Sequence, residues 1–191
     1  MNWMEITATV FGLICVFLTI RQNIWCWPTG LIQVLLYIVV FYQAKLYSDS
    51  GLQIIYVIVS IYGWYHWLYG NKDKSALPVT STGTIFLLIW VIVGILGSLA
   101  WGYIMKTNTD AAAPYADAFI VVLSLIAQWL MTRKKLESWY FWITVDVLAV
   151  GVYLYKHLYF TTGLYAVFLI LAIWGLLAWK KPTSILKAHA A

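Results

Sequence analysis

Apolar residues fall into seven long stretches separated by short polar breaks: Trp3–Ile20, Ile24–Tyr42, Leu52–Tyr69, Thr84–Met105, Tyr115–Thr132, Trp139–Tyr155 and Tyr159–Trp179. Each is long enough, as a helix, to cross about 30 Å of hydrocarbon. The breaks carry Arg21-Gln22-Asn23, Lys45 through Ser50, Asn71 through Thr82 with Pro78, Lys106 through Pro114, Arg133 through Ser138, and the short Lys156-His157. Membrane strands would be shorter and would alternate polar with apolar. These stretches do not alternate, and the pattern predicts an all-α integral membrane protein with seven transmembrane helices.

Composition strengthens that reading. The chain is 63% apolar and 10% charged, whereas a soluble domain runs near 45–50% and about 25%. The twelve bases do not form a stripe that could track nucleic acid; they sit in the breaks, where they set topology. With the N-terminus outside, the inner loops and tail hold Arg21, Lys72, Lys74, Arg133, Lys134, Lys135, Lys180, Lys181 and Lys187, and the outer side holds Lys45, Lys106 and Lys156. That imbalance fits the positive-inside rule and predicts a cytoplasmic C-terminus. No cleavable signal peptide is expected, because the first stretch has neither a basic lead nor a small-residue cleavage pattern.

Shifting the chain by 112 residues superposes the first three stretches on the last three. Arg21 meets Arg133, Trp27 meets Trp139, Leu46-Tyr47 meets Leu158-Tyr159, Gly51-Leu52 meets Gly163-Leu164, Gly63 meets Gly175 and Trp67 meets Trp179. Self-similarity at a fixed offset is the mark of duplication. One span is left over between the halves, so both have the same orientation. The expected architecture is 3+1+3, two parallel duplicated three-helix bundles of the SWEET-like kind, with the substrate site near the membrane midplane. The expected parts are a first repeat over 3–69, a connector with the fourth helix over 70–114, a second repeat over 115–179 and a tail over 180–191.

Candidate chemistry is sparse. Cys15 and Cys26 have no CxxC spacing and no nearby histidine, and His66, His157 and His189 are scattered. Neither a metal site nor a disulfide is expected. No nucleophile with a paired base, no HExxH and no GxxxxGK[ST] loop is present, so neither an enzyme nor an ATP-driven pump is expected, and no cofactor is implied. The last stretch also lacks the lysine that a Schiff-base photoreceptor would need.

One acid lies deep in a stretch. Asp146 stands seven residues past Trp139, and a carboxylate at that depth marks a functional site by default because its insertion is costly. At 100° per residue Trp139, Trp142, Asp146 and Tyr153 share one face of their helix. The third helix carries a comparable stripe of Gln53, Tyr56, Ser60, Trp64 and Trp67. The fifth helix adds Asp117, Ser124 and Gln128, and the second adds Gln33 and Tyr37. Aromatic faces attract cations, and a carboxylate among them suits a flat, cationic organic molecule. The expected substrate site is therefore Trp139, Trp142, Asp146, Gln53, Tyr56, Trp64, Gln128, Gln33 and Tyr37. Trp3, Trp67, Tyr69 and Trp179 lie near helix ends and read as interface anchors, and the glutamines also suit interhelical hydrogen bonding.

The run Arg21-Gln22-Asn23-Ile24-Trp25-Cys26-Trp27-Pro28, the segment Ile61-Tyr62-Gly63-Trp64-Tyr65-His66-Trp67 and the motif Trp139-x-x-Trp142-x-x-x-Asp146 resemble the PnuC-type (nicotinamide riboside) vitamin transporters. The likeness extends from Trp3 to Trp179. It implies facilitated diffusion of an unphosphorylated vitamin precursor, trapped inside by phosphorylation for pyridine nucleotide biosynthesis. It also implies a homotrimer in a bacterial inner membrane and a site near the membrane centre. The last motif residue in riboside transporters is usually Asn, and this chain has Asp146. The expected cargo is nicotinamide riboside, with thiamine or another cationic vitamin precursor as the alternative and proton coupling through Asp146 as a second mechanism.

Overall fold

The structure is a computed structural model that describes residues 3–43, 47–71, 76–109 and 113–180. It contains seven helices among them: α1 (Trp3–Ile20), α2 (Cys26–Gln43), α3 (Tyr47–Tyr69), α4 (Thr84–Asn108), α5 (Pro114–Thr132), α6 (Ser138–Tyr155) and α7 (Tyr159–Trp179). Six are long and apolar enough to cross a membrane; α3, which carries Gln53 and His66, falls outside that set. No strand is present among the described residues, where one isolated bridge joins Thr80 to Lys135. The cations Lys45, Lys72, Lys74, Lys181 and Lys187, which helped to orient the chain, lie outside the described residues, as does the tail beyond Lys180.

The chain divides into two compact units, Met1–Pro78 with Thr132–Lys134, and Val79–Met131 with Lys135–Ala191. In the first unit α2 packs on both α1 and α3. The tightest contact is made by Trp27, whose ring fills the space that a side chain at Gly63 would take. It makes an edge-to-face contact with Trp67, with ring centroids 5.4 Å apart at 86°. The indole N–H of Trp27 has no hydrogen-bond partner among the described residues.

In the second unit Leu123, Ile126, Ala127 and Leu130 of α5 interlock with Phe141 and Val145 of α6, and Leu87 and Trp90 of α4 pack against them. Helix α4 approaches α5 closely where it lacks side chains, with Gly94 facing Leu123 and Gly102 facing Tyr115. Small residues admit such approach where the hydrophobic effect cannot drive association. Helices α6 and α7 meet through Trp139, which fills the space above Gly175 and lies edge to face with Trp179 at 5.3 Å and 89°.

Among the described residues three helices end on a residue in the left-handed region, and none of the three is glycine: Gln22 (φ 55°) after α1, Lys134 (φ 52°) after α5 and His157 (φ 58°) after α6. After α1 the N–H of Asn23 donates to the Leu18 carbonyl at 2.9 Å and that of Gln22 to Thr19 at 2.9 Å. This paired closure satisfies two carbonyls that the helix would otherwise leave open. The N–H of Lys135 makes the equivalent bond to Leu130 at 3.0 Å, and Leu158 bonds Tyr153 at 2.9 Å.

Candidate functional site

Helix α6 carries the candidate chemistry. Asp146 is buried at 5% exposure, and no hydrogen bond or ion pair reaches its carboxylate among the described residues. A buried carboxylate without a donor or a counter-charge is costly. The position therefore calls for a cation or a proton. Trp142 lies one turn earlier on the same face, half-buried against the α5–α6 core. Gln128 of α5 is half-buried in the same unit, and Ser124 uses its hydroxyl on the Val121 carbonyl, 2.9 Å away. Further along α6, Tyr153 stacks at a tilt on Tyr165 of α7, centroids 5.2 Å apart.

Trp139 belongs to the same stripe but has another setting. It is 2% exposed and wedged between Gly175 and Trp179, which makes it the packing element that joins α6 to α7. Asp117, near the start of α5, is engaged too: both of its oxygens accept from the Lys156 ammonium, at 2.8 and 2.9 Å.

In the first unit Gln33 lies over the bare backbone of Gly12, its amide nitrogen 2.8 Å from where a Cβ would stand. The Tyr37 and Thr9 hydroxyls share a hydrogen bond of 3.4 Å, and Tyr37 stacks on Phe41. These contacts make a polar seam along α1 and α2. On α3 Gln53, Tyr56 and Trp64 are half-buried, Ser60 is buried, and Trp67 packs on Trp27.

Two buried charges escaped the sequence reading, in which both lie in the polar break from Arg133 to Ser138. Lys134 is 4% exposed; its ammonium donates to the Leu77 carbonyl at 2.8 Å and stands 4.5 Å from the centre of the Trp67 ring. Burial pushes this amine down to about 8, against a smaller upward pull from Cys26. Glu137 is 3% exposed. Its Oε1 accepts from the Ser81 hydroxyl and the Thr82 N–H, both at 2.7 Å, while Oε2 is buried without a partner among the described residues. The available signal was one acid next to three bases, directly before a helix that opens on Ser138-Trp139. Among the described residues no group of three His, Cys, Asp or Glu side chains could hold a metal ion, and both cysteines are free.

A bundle of long apolar helices with a buried acid and a tryptophan on one helix face is the makeup of a multi-pass membrane transporter. The chain belongs to the nicotinamide mononucleotide transporter family, whose sequence model matches residues 2–181. It is 30% identical over 204 residues to the nicotinamide riboside transporter PnuC of Escherichia coli (strain K12), covering 94% of this chain and 85% of that one. It is 27% identical over 184 residues to the riboflavin/roseoflavin transporter RibM of Streptomyces davaonensis, covering 93% and 84%. The crystal structure of the vitamin B3 transporter PnuC shares the fold, with a TM-score of 0.75 and 26% identity over 98% of this chain and 83% of that one.

Proposed function

We propose that the protein carries nicotinamide riboside across the bacterial inner membrane by facilitated diffusion, with phosphorylation inside the cell retaining the cargo. The observation that carries this reading is Asp146, a buried carboxylate without a protein partner among the described residues. Nicotinamide riboside has a fixed positive charge on a flat pyridinium ring. Such a cargo would neutralise the acid and lay its ring against Trp142, an arrangement favoured by both charge and stacking. Gln128, in the same unit, would supply a polar group for the remainder. Within the first unit Gln33, Gln53, Tyr56, Trp64 and Tyr37 are proposed to serve transport as polar and aromatic groups. Trp139 serves the same face by fixing α6 against α7.

The fine architecture belongs to the same reading: seven spans, the N-terminus outside, two parallel repeats over 3–69 and 115–179 linked by 70–114, and assembly as a homotrimer. Duplication is supported by matched local geometry. Trp27, Gly63 and Trp67 pack as Trp139, Gly175 and Trp179 do, and Gln22 matches Lys134 in its backbone conformation. Chemically the halves differ. At the 112-residue offset Gly30 and Val34 stand where the second half has Trp142 and Asp146, so the acid occurs once.

Thiamine, cationic through its thiazolium, is favoured by the same carboxylate as a second cargo. Uptake of radiolabelled nicotinamide riboside, thiamine, riboflavin and nicotinamide into liposomes holding the protein tests both. Saturable riboside uptake that nicotinamide barely inhibits is expected. Saturable thiamine uptake without riboside competition would replace the cargo. Uptake of riboflavin alone would remove the cationic argument altogether. An inward proton gradient that drives riboside above equilibrium would replace facilitated diffusion by proton coupling through Asp146.

A further inference from the structure

The non-helical segment before α4 is tied to the start of α6 by an asymmetric carboxylate. Glu137 stands at the N-cap of α6. Its Oε1 takes two short hydrogen bonds, from Ser81 and from the backbone of Thr82, while Thr80 accepts from the N–H of Leu136 at 3.0 Å. Val79, next in this segment, is 1% exposed. The other oxygen, Oε2, is shut away from water without a donor among the described residues. Two charge-assisted bonds hold the closed arrangement, and one unsatisfied anionic oxygen opposes it. Release of the segment would break the former and let water satisfy the latter. The two bonds prevail in the closed arrangement, and the unsatisfied oxygen makes the tie weaker than such bonds alone would, as suits a part that opens and closes in each cycle.

From this geometry we propose that Glu137 is a latch: it holds segment 79–82 against α6 in one state of the transport cycle and releases it in another. Glu137 thereby positions the helix that bears Asp146 without touching cargo. The inference rests on the transport reading for its link to uptake, while the latch itself can be observed without cargo.

The test uses the full-length protein in liposomes with cysteine placed at Val79, over the background of Cys15 and Cys26. Without cargo, a thiol reagent should label Val79→Cys slowly. Adding Glu137→Gln, which keeps the shape but removes the charge from both bonds, should raise the labelling rate about tenfold. Ser81→Ala, which removes one bond, should raise it less. In the Glu137→Gln protein equilibrium binding of nicotinamide riboside, read by tryptophan fluorescence, should stay within about twofold while the uptake rate changes about tenfold. Unchanged labelling in Glu137→Gln overturns the latch; if that variant does not insert, unchanged labelling in Ser81→Ala does so. Faster labelling with unchanged riboside uptake overturns its role in transport and leaves a structural tie. If the parent protein moves no riboside, the cargo reading fails, and labelling of the variants still decides whether the latch exists.

Discussion

Trp139 meets Trp179 edge to face, 5.3 Å between ring centroids at 89°, directly over Gly175. This wedge fixes the rotation of α6 about its own axis, and so decides which way the face bearing Trp142 and Asp146 is turned. Packing and binding on that stripe are therefore separable by mutation.

Trp139→Ala should cost about 3–5 kcal/mol of stability, as large core truncations do, and Gly175→Val about 1–3 kcal/mol through overpacking. Trp142→Ala should leave folding nearly intact and weaken riboside binding by about 1–3 kcal/mol, taking base–aromatic stacking as the analogue. Thermal unfolding in detergent alongside fluorescence titration separates them. Loss of binding without loss of stability in Trp139→Ala would return that ring to the binding site.

Much of this arrangement can be read from the sequence, and its gaps have a physical cause. The bounds of α1 and α7 coincide with the apolar stretches, because polar residues follow directly at Arg21 and Lys180. Helix α3 starts at Tyr47, five residues before its stretch, because hydropathy reports membrane depth and not helical conformation. Periodicity placed Trp139 and Asp146 on one face, but seven residues separate them by about 10 Å along the axis. It cannot say that one lies over a glycine of α7 while the other has no partner. The burial of Lys134 and Glu137 is not legible in their polar break because the groups that hold them, Leu77 and Ser81-Thr82, lie more than fifty residues away in sequence.

Lys134 gives a pH prediction. Burial lowers its pKa from 10.5 to about 8. Below about 8 folded and unfolded chains both hold the proton, and the burial cost is fully present. Between about 8 and 10.5 the unfolded chain binds more protons, so stability rises with pH across that window. The gain is about 3 kcal/mol at most. Unfolding of the parent protein and of Lys134→Met, compared from pH 7 to 10.5, should show this rise in the parent alone. Parallel pH profiles would mean that the ammonium is solvated.

His157 closes α6 at φ 58° with its side chain exposed. A side chain in this region strains the backbone, whereas glycine adopts it freely but loses more entropy on folding. His157→Gly should therefore stabilise the protein by about 0.5 kcal/mol, even with loss of the 3.1 Å contact between the imidazole and the Tyr159 hydroxyl. A fall in the unfolding midpoint would show that this contact outweighs the backbone strain.

On the proposed reading Asp146 selects the cargo by its charge. An uncharged ligand beside it would leave the carboxylate buried and unpaired, whereas a pyridinium would satisfy it. Asp146→Asn keeps a polar group of the same size and should retain riboside binding, weakened by the lost attraction. Asp146→Leu offers no polar group and should reduce binding by about a hundredfold, the cost of breaking a hydrogen-bonded charge pair. Stability should move the other way: replacing an unpartnered buried acid by leucine removes a desolvation cost, so the empty Asp146→Leu protein should unfold later than the parent. Riboside titration and thermal unfolding of the three proteins test both directions. Full binding in Asp146→Leu would show that the carboxylate does not meet the cargo, and a less stable Asp146→Leu would show that Asp146 has a structural partner.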